Sequence, residues 1–479
     1  MNSSLETFIE EYELLTSLSC GDLSVEEMQI SLKYSEVFPH KITGSITGTV
    51  KKYNEFVPLI NNQIPDKKIT FNSSSAKNQY KVFSSDEIAT SAITFPQGYP
   101  QNVSFEICKL ELRHLSITQK IKKNEDRKIC FYLVGPQRIW NFLGRFEIID
   151  EIIKPKNTLK IEIEDDLPFN IELEVIKFEK SDEYKPSLTY SYEVFSLTFK
   201  AKKTTSFISD DELLKMCTNC VEEILLLVSF IGRKRIEWFC YKFYSSDNLI
   251  TFIKENKKSD HSEPDFDSAF LGYHNTMKFI KQSLPNFRKL KIENFDLTKA
   301  IRYYLSGLEM PYLEAEFSTL FTSLECIKSL YAKKNKIDTI VSGNMFRKKI
   351  SKTIKKELMR IKEDISDFPE DEMIKKIPEL NRTSISTIID RLTIDYDIEI
   401  KSLYPKNEEV TLIKTRNRIT HDSNNVDIEI LFKEYFRLRL LLEMLILKIL
   451  KWDDLTKLIQ SNDMHIFTCN EDENSKMEE

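Results

Sequence analysis

The residues best suited to chemistry lie in the stretch Thr-Arg-Asn-Arg-Ile-Thr-His at 415–421: Arg416, Asn417 and His421. On a helix, Asn417 and His421 are four apart and share a face, while Arg416 lies one residue around. Arginine offers a planar, permanently charged fork that fits phosphate oxygens. Histidine, with an ordinary pKa of about 6.5, gives or takes a proton at neutral pH. Asparagine can fix the imidazole or hold a phosphate oxygen. Together they could drive attack of an RNA 2′-hydroxyl on the adjacent phosphate without a metal. The same spacing also suits a polar network that merely finishes a helix, and spacing alone leaves both readings open. Arg418 points elsewhere on that helix, toward solvent or an RNA backbone.

Other constellations are thinner. Cys217-x-x-Cys220 has the spacing of half a zinc site, but no second CxxC or His pair accompanies it, and both cysteines fall in an apolar helical pattern. Core packing is the expectation there. With ten glycines in all, the chain carries neither GxxxxGK[ST] nor GxGxxG, and it also lacks HExxH and a nucleophile elbow. A metal hydrolase, an NTPase and an α/β-hydrolase are therefore disfavoured, and no metal or cofactor is called for. Positive charge concentrates at Arg347, Lys348, Lys349, Lys352, Lys355, Lys356, Arg360 and Lys362. On one helix these could track an RNA backbone, with Arg347, Lys348, Lys352 and Lys355 as candidate contacts, or they could form a solvated face.

The elements that must position these residues are helical. Apolar periodicity predicts helices in "FDSAFLGYHNTMKFIKQSL", "LTKAIRYYLSGL", "PYLEAEFSTLFTSLECIKSLYAKK", "MFRKKISKTIKKELMRIKEDI", "ISTIIDRLTI", "EEVTLIKTRNRITH" and "VDIEILFKEYFRLRLLLEMLILKILKW". The "DSNN" loop at 422–425 separates the last two, with Asn425 the expected N-cap. The run "DDELLKMCTNCVEEILLLVSFIGRKRIEWFCYKFY" begins after "SDDE", an N-cap with first-turn acids, and reads as helical. Before it, from about 25 to 205, segments such as "KITGSITGTV", "VSFEICKLEL", "KICFYLVG", "FNIELEVIKFEK" and "YSYEVFSLTFKAK" are rich in β-branched and aromatic residues and alternate as half-buried strands do. Residues 5–16 read as a short helix.

The fold class expected is α+β and multidomain: a β-rich N-terminal region, antiparallel and sandwich- or barrel-like, then a C-terminal all-α bundle. The divisions are 1–205 for the β-rich domain, 206–300 for a helical connection, 301–458 for the bundle and 459–479 for an acidic tail. A length of 479 residues suits this, and 41% hydrophobic with 30% charged residues describes an ordinary globular protein. The net charge of −6 excludes a generally basic nucleic-acid-coating protein, though not a local basic patch. Eight scattered cysteines, an acidic start where a signal peptide would be basic, and the lack of an apolar run of about 18–20 residues predict a cytoplasmic protein off the membrane.

Arg416-Asn417-x-x-x-His421 resembles the RNxxxH form of the HEPN superfamily motif. Its setting is similar too: the motif ends one helix, a short polar loop follows, and a long aliphatic helix closes the domain. "YLEAEFSTLFTSLECIKSLY" resembles an early helix of that bundle, with Glu325 where relatives often carry an acid. The β-rich front resembles the layout of ApeA-type abortive-infection proteins. The resemblance implies a metal-independent endoribonuclease of anti-phage defence. In it His421 acts as general acid/base, Arg416 as phosphate stabiliser and Asn417 as a positioning group, with Glu325 orienting Arg416 or standing as an ordinary boundary glutamate. It also implies pairing of two chains, which chemistry favours separately, since in-line cleavage benefits from both a base and an acid. Expected partners are RNA, a second copy of the chain and a phage-derived trigger. The alternative is a non-catalytic HEPN-like module that binds RNA, nucleotide or protein. A ligand-binding enzyme in the β region has no constellation behind it, since His40 and His114 stand isolated in the sequence.

Overall fold

The computed structural model describes residues 9–20, 23–34, 42–50, 69–73, 78–89, 92–94, 103–122, 126–134, 146–149, 152–155, 158–161, 167–181, 189–202, 207–254, 273–365, 368–404, 408–421 and 427–452. They form an α+β protein of two units. One takes residues 1–225 and 236–268, the other 226–235 and 269–479.

The first unit is antiparallel β. Its strands are β1 (Ile9–Cys20), β2 (Leu23–Tyr34), β3 (Ile42–Val50), β4 (Ile69–Ser73), β5 (Asn78–Ala89), β6 (Ala92–Thr94), β7 (Val103–Lys120), β8 (Lys128–Val134), β9 (Phe146–Ile149), β10 (Ile152–Pro155), β11 (Thr158–Ile161), β12 (Phe169–Ser181), β13 (Thr189–Ala201), β14 (Glu237–Tyr244) and β15 (Asn248–Lys254). The long β7 joins two arrangements. Along Ile117–His114 and its neighbours it pairs with β15, which continues through β14, β8, β13 and β12 to β11. Nearer its start it pairs with β3, and from there β2, β1, β4 and β5 lead back to β7, so those pairings close a ring. The short β4 makes this closure, pairing with β1 between Leu15 and Ser19.

Two expectations are corrected here. The start is not a short helix: Ile9–Cys20 pairs with β2 over its whole length, from Ile9↔Tyr34 to Cys20↔Leu23. The stretch after 206 is not wholly helical either. Helix α1 (Asp210–Ile231) stops where Gly232 and the left-handed Arg233 (φ 49°) turn the chain, and "EWFCYKFY" then enters the sheet as β14 beside β8. Aromatic and β-branched side chains favour that pleated, half-buried setting. The connecting region thus contributes two strands to the β unit.

Where the side chains of this sheet are described, they pack on both faces. Along β13, Leu197 and Phe199 are buried, and so are the intervening Ser196 and Thr198. Phe131 meets Phe199 and Trp238 edge-on at 5.5 and 5.6 Å, and Tyr241 stacks on Phe252. α1 starts at Ser209, whose hydroxyl accepts the Glu212 amide proton, with Asp210, Asp211 and Glu212 in the first turn as the sequence predicts. Arg127 ties that start down, donating to the Ile208 carbonyl at 2.7 Å and to Asp210 at 3.2 Å. Cys217 and Cys220 are fully buried in α1, and burial first, then Cys220, pushes the Cys217 thiol up.

The second unit is helical: α2 (Tyr273–Ile292), α3 (Thr298–Leu308), α4 (Leu313–Asn335), a turn at Gly343–Met345, a π-helical turn at Phe346–Ser351, α5 (Lys352–Asp364), α6 (Glu370–Lys376), α7 (Ile385–Asp395), α8 (Leu412–His421) and α9 (Ile428–Ile449). α3 and α4 approach so closely that a Cβ on Gly307 would stand 2.8 Å from Leu320 Cδ2. α9 is capped by Asp427, whose carboxylate accepts the Glu429 amide proton; Asn425, the expected cap, lies outside the described residues, as does the 459–479 tail. No helix among the described residues is long and apolar enough to cross a membrane.

Two buried polar networks pin α9. Glu443 takes both forks of Arg233, at 2.7 and 2.6 Å, and the Tyr304 hydroxyl. Nine residues earlier on α9, Glu434 accepts from Tyr404 at 2.8 Å, Thr411 at 2.9 Å and Arg437 at 2.8 Å. Arg437 also forks onto Glu408. Burial first, and Glu434 beside it, push the Tyr404 phenol up, so Tyr404 stands as a neutral donor.

Candidate functional site

The site is built from α8 and α4. Leu412 and Thr415 are buried, which fixes the rotation of α8, and Thr411 just ahead of it is tied to Glu434 of α9. With that face inward, Arg416 is half-buried and Asn417 and Arg418 are exposed. On α4, Phe317, Leu320, Phe321 and Leu324 are buried, leaving Glu325 at the margin of the apolar face.

These placements bring three residues together. Arg416 Nη2 donates to Glu325 Oε1 at 3.3 Å, and its Nη1 donates to Asn417 Oδ1 at 3.2 Å. The guanidinium carbon lies 5.8 Å from the centre of the Phe321 ring, within cation–π range. Sequence reasoning did not single out Phe321 for the site. The signal was available, since Phe321 lies four residues before Glu325 and so shares its side of α4.

The Glu325–Arg416 pair adds little stability. Both side chains remain about a third exposed, at 32% and 30%, and such pairs contribute about 0–1 kcal/mol after solvent screening. Its effect is orientation: carboxylate and ring hold the guanidinium from α4 while the side chain keeps about a third of its surface open. Thr420 Oγ1 donates to the Arg416 carbonyl at 2.9 Å, which braces the last turn of α8. His421 closes that helix, one turn beyond Asn417, and only its backbone is described.

The basic candidates Arg347, Lys348, Lys352 and Lys355 are not part of this cluster; they lie on the helical segment 346–364, all exposed. No group of three or more His, Cys, Asp or Glu among the described residues could hold a metal ion. Comparison of the chain with protein-family models, curated proteins and solved structures gives no match.

Proposed function

We propose that the protein is a metal-independent endoribonuclease of the HEPN type, acting in anti-phage abortive infection, with its helical unit as the HEPN bundle and its β unit sensing infection or restraining the nuclease. What carries the reading is Arg416: a guanidinium oriented by Glu325, Asn417 and Phe321, partly open to solvent, five residues ahead of His421. An arginine fixed in this way is preorganised for the charge that grows on a phosphate's oxygens in the transition state.

In the reaction, an imidazole takes the proton of the RNA 2′-hydroxyl and the 2′-oxygen bonds to phosphorus. The bond from phosphorus to the 5′-oxygen breaks, and an imidazole gives that oxygen a proton. The products are a 2′,3′-cyclic phosphate and a 5′-hydroxyl. Arg416 stabilises the phosphorane oxygens, Asn417 and Glu325 position it, and His421 is the acid/base group. One chain carries one such histidine, so the complete site is composite, with the second imidazole supplied by another copy. A monomer of full activity at high dilution would sink that part.

The deciding experiment expresses wild type, Arg416→Ala and His421→Ala in bacteria, with and without phage, and follows RNA integrity and growth. Cleavage by wild type alone is expected. Intact RNA under every trigger would refute the enzyme. Glu325→Ala, which releases Arg416 without removing it, should cut the rate about ten- to a hundredfold, the scale for a misplaced catalytic group.

A further inference from the structure

We infer that residues 341–365 and 368–381 form a rigid docking arm for base-paired RNA, gripping the sugar-phosphate backbone through one stripe of cations. The choice of RNA rests on the ribonuclease reading above; the arm's shape and charge do not. Phe346 and Leu358 are buried with Ile377, and Val341, Ile354, Phe368 and Ile374 pack around them, so the segment has a core of its own. Its base is closed by Asn381, whose amide donates to the Val341 carbonyl at 2.9 Å and whose Oδ1 accepts the Val341 amide proton at 3.0 Å. The Asn381 carbonyl also accepts from Ile340, and Thr339 bridges to Arg382.

The π turn at Phe346–Ser351 sets which side chains face out. In a straight α-helix the twelve steps from Phe346 to Leu358 would turn through about 1200°, leaving the two roughly 120° apart. The extra residue in a π turn takes back about 100°, which brings Phe346 onto the face of Leu358 and into the small core. The same shift carries Arg347 and Lys348 outward, to the side of Lys352 and Lys356, with Lys355 at its border. These five are exposed, and none has an ion-pair partner among the described residues. Their stripe spans about 13 Å of helix.

A straight, fixed row of unpaired cations fits a phosphate backbone held equally rigid by pairing. Single strands are bound differently, by stacking bases on aromatic rings. Among the described residues the arm exposes Met345, Ile350, Met359 and Ile361 between its cations, but no aromatic ring, with Phe346 buried and Phe368 packed on the core. That contrast favours the duplex. The preference for RNA over an acidic protein comes from the ribonuclease reading.

The test measures binding of the full chain carrying His421→Ala, so that cleavage plays no part and a failure of the ribonuclease reading is seen separately. The probe is a fluorescent RNA hairpin, with a single strand of equal length as the comparison, titrated by anisotropy across salt. Five phosphate contacts predict a slope of log affinity on log salt near −4.5, about a 500-fold loss between roughly 50 and 200 mM. The added changes Lys352→Gln, Lys355→Gln and Lys356→Gln should reduce the slope by about 2.7, and circular dichroism should not change. Should that variant fold poorly, Arg347→Gln with Lys348→Gln reads the same stripe and should remove about 1.8. An unchanged slope in a folded variant, or tighter binding of the single strand than of the hairpin, would overturn the inference.

Discussion

Glu443 holds three segments of the helical unit together, and its replacement gives a stringent trial of the packing argument. Its carboxylate is fully buried, takes two charge-assisted hydrogen bonds from Arg233 at 2.6 and 2.7 Å, and accepts the Tyr304 hydroxyl. The Arg233 side chain is only 7% exposed. Glu443→Met therefore strands a buried guanidinium, a loss of about 3–5 kcal/mol. Arg233→Met strands the carboxylate instead, and should cost somewhat less because Tyr304 and the more distant Arg439, 3.9 Å away, remain. The double replacement leaves no buried charge from this pair and puts two apolar side chains of similar volume in the space. The buried Tyr304 hydroxyl still loses its acceptor, so the double loss should be about 1–3 kcal/mol, which leaves a coupling of several kcal/mol between the sites. Native-state hydrogen exchange across urea, read on peptides of α3 and α9, isolates the helical unit from the sheet. The reasoning fails if either single change costs under about 1 kcal/mol, or if the double loss is simply the sum.

Two further outcomes are expected. Gly307→Ala places a Cβ 2.8 Å from Leu320 Cδ2 and 3.2 Å from the Leu320 backbone nitrogen, so α3 and α4 must separate; a loss of about 1–3 kcal/mol should appear as a lower melting temperature. Tyr241 is pushed up from 10.0 to about 12, by burial first and then by Cys240 and Asp211. Its proton is held more tightly in the folded state, so its contribution is complete below pH 10 and is lost as pH rises toward 12. The stability of wild type relative to Tyr241→Phe should fall by roughly 2–3 kcal/mol over that interval, and parallel curves would contradict the assignment.

The local patterns were legible where they agreed with the tertiary setting. Ser209 ahead of three acids is the N-cap of α1, and the periodicity of 298–308 and 313–335 matches α3 and α4. The pairing of Glu325 with Arg416 was one of two alternatives that the family resemblance left open for that glutamate; helical spacing placed Glu325 only at the edge of its own apolar face. Residues 5–16 misled because acids and leucines fit either period, and pairing with β2 decided for a strand. Residues 237–244 misled because their aromatic, apolar pattern was read as more of α1, although Gly232 followed by Arg233, Lys234 and Arg235 interrupts the run and is a helix-stop signal; β8 supplies the hydrogen bonds that make a strand there.

By itself, then, the sequence determined the chemistry available at 415–421 and the helix that carries it, because side-chain type and periodicity are local properties. It also determined that cations gather at 347–362. Only the tertiary structure decided which group orients Arg416, since Phe321 and Glu325 lie some ninety residues away and meet it through the packing of α4 against α8. Only the tertiary structure decided the facing of the cations, since a π turn is a shift in backbone hydrogen bonding that the small core around Phe346 favours. Contacts between distant segments depend on how whole elements bury their apolar faces, and no window of sequence contains that information.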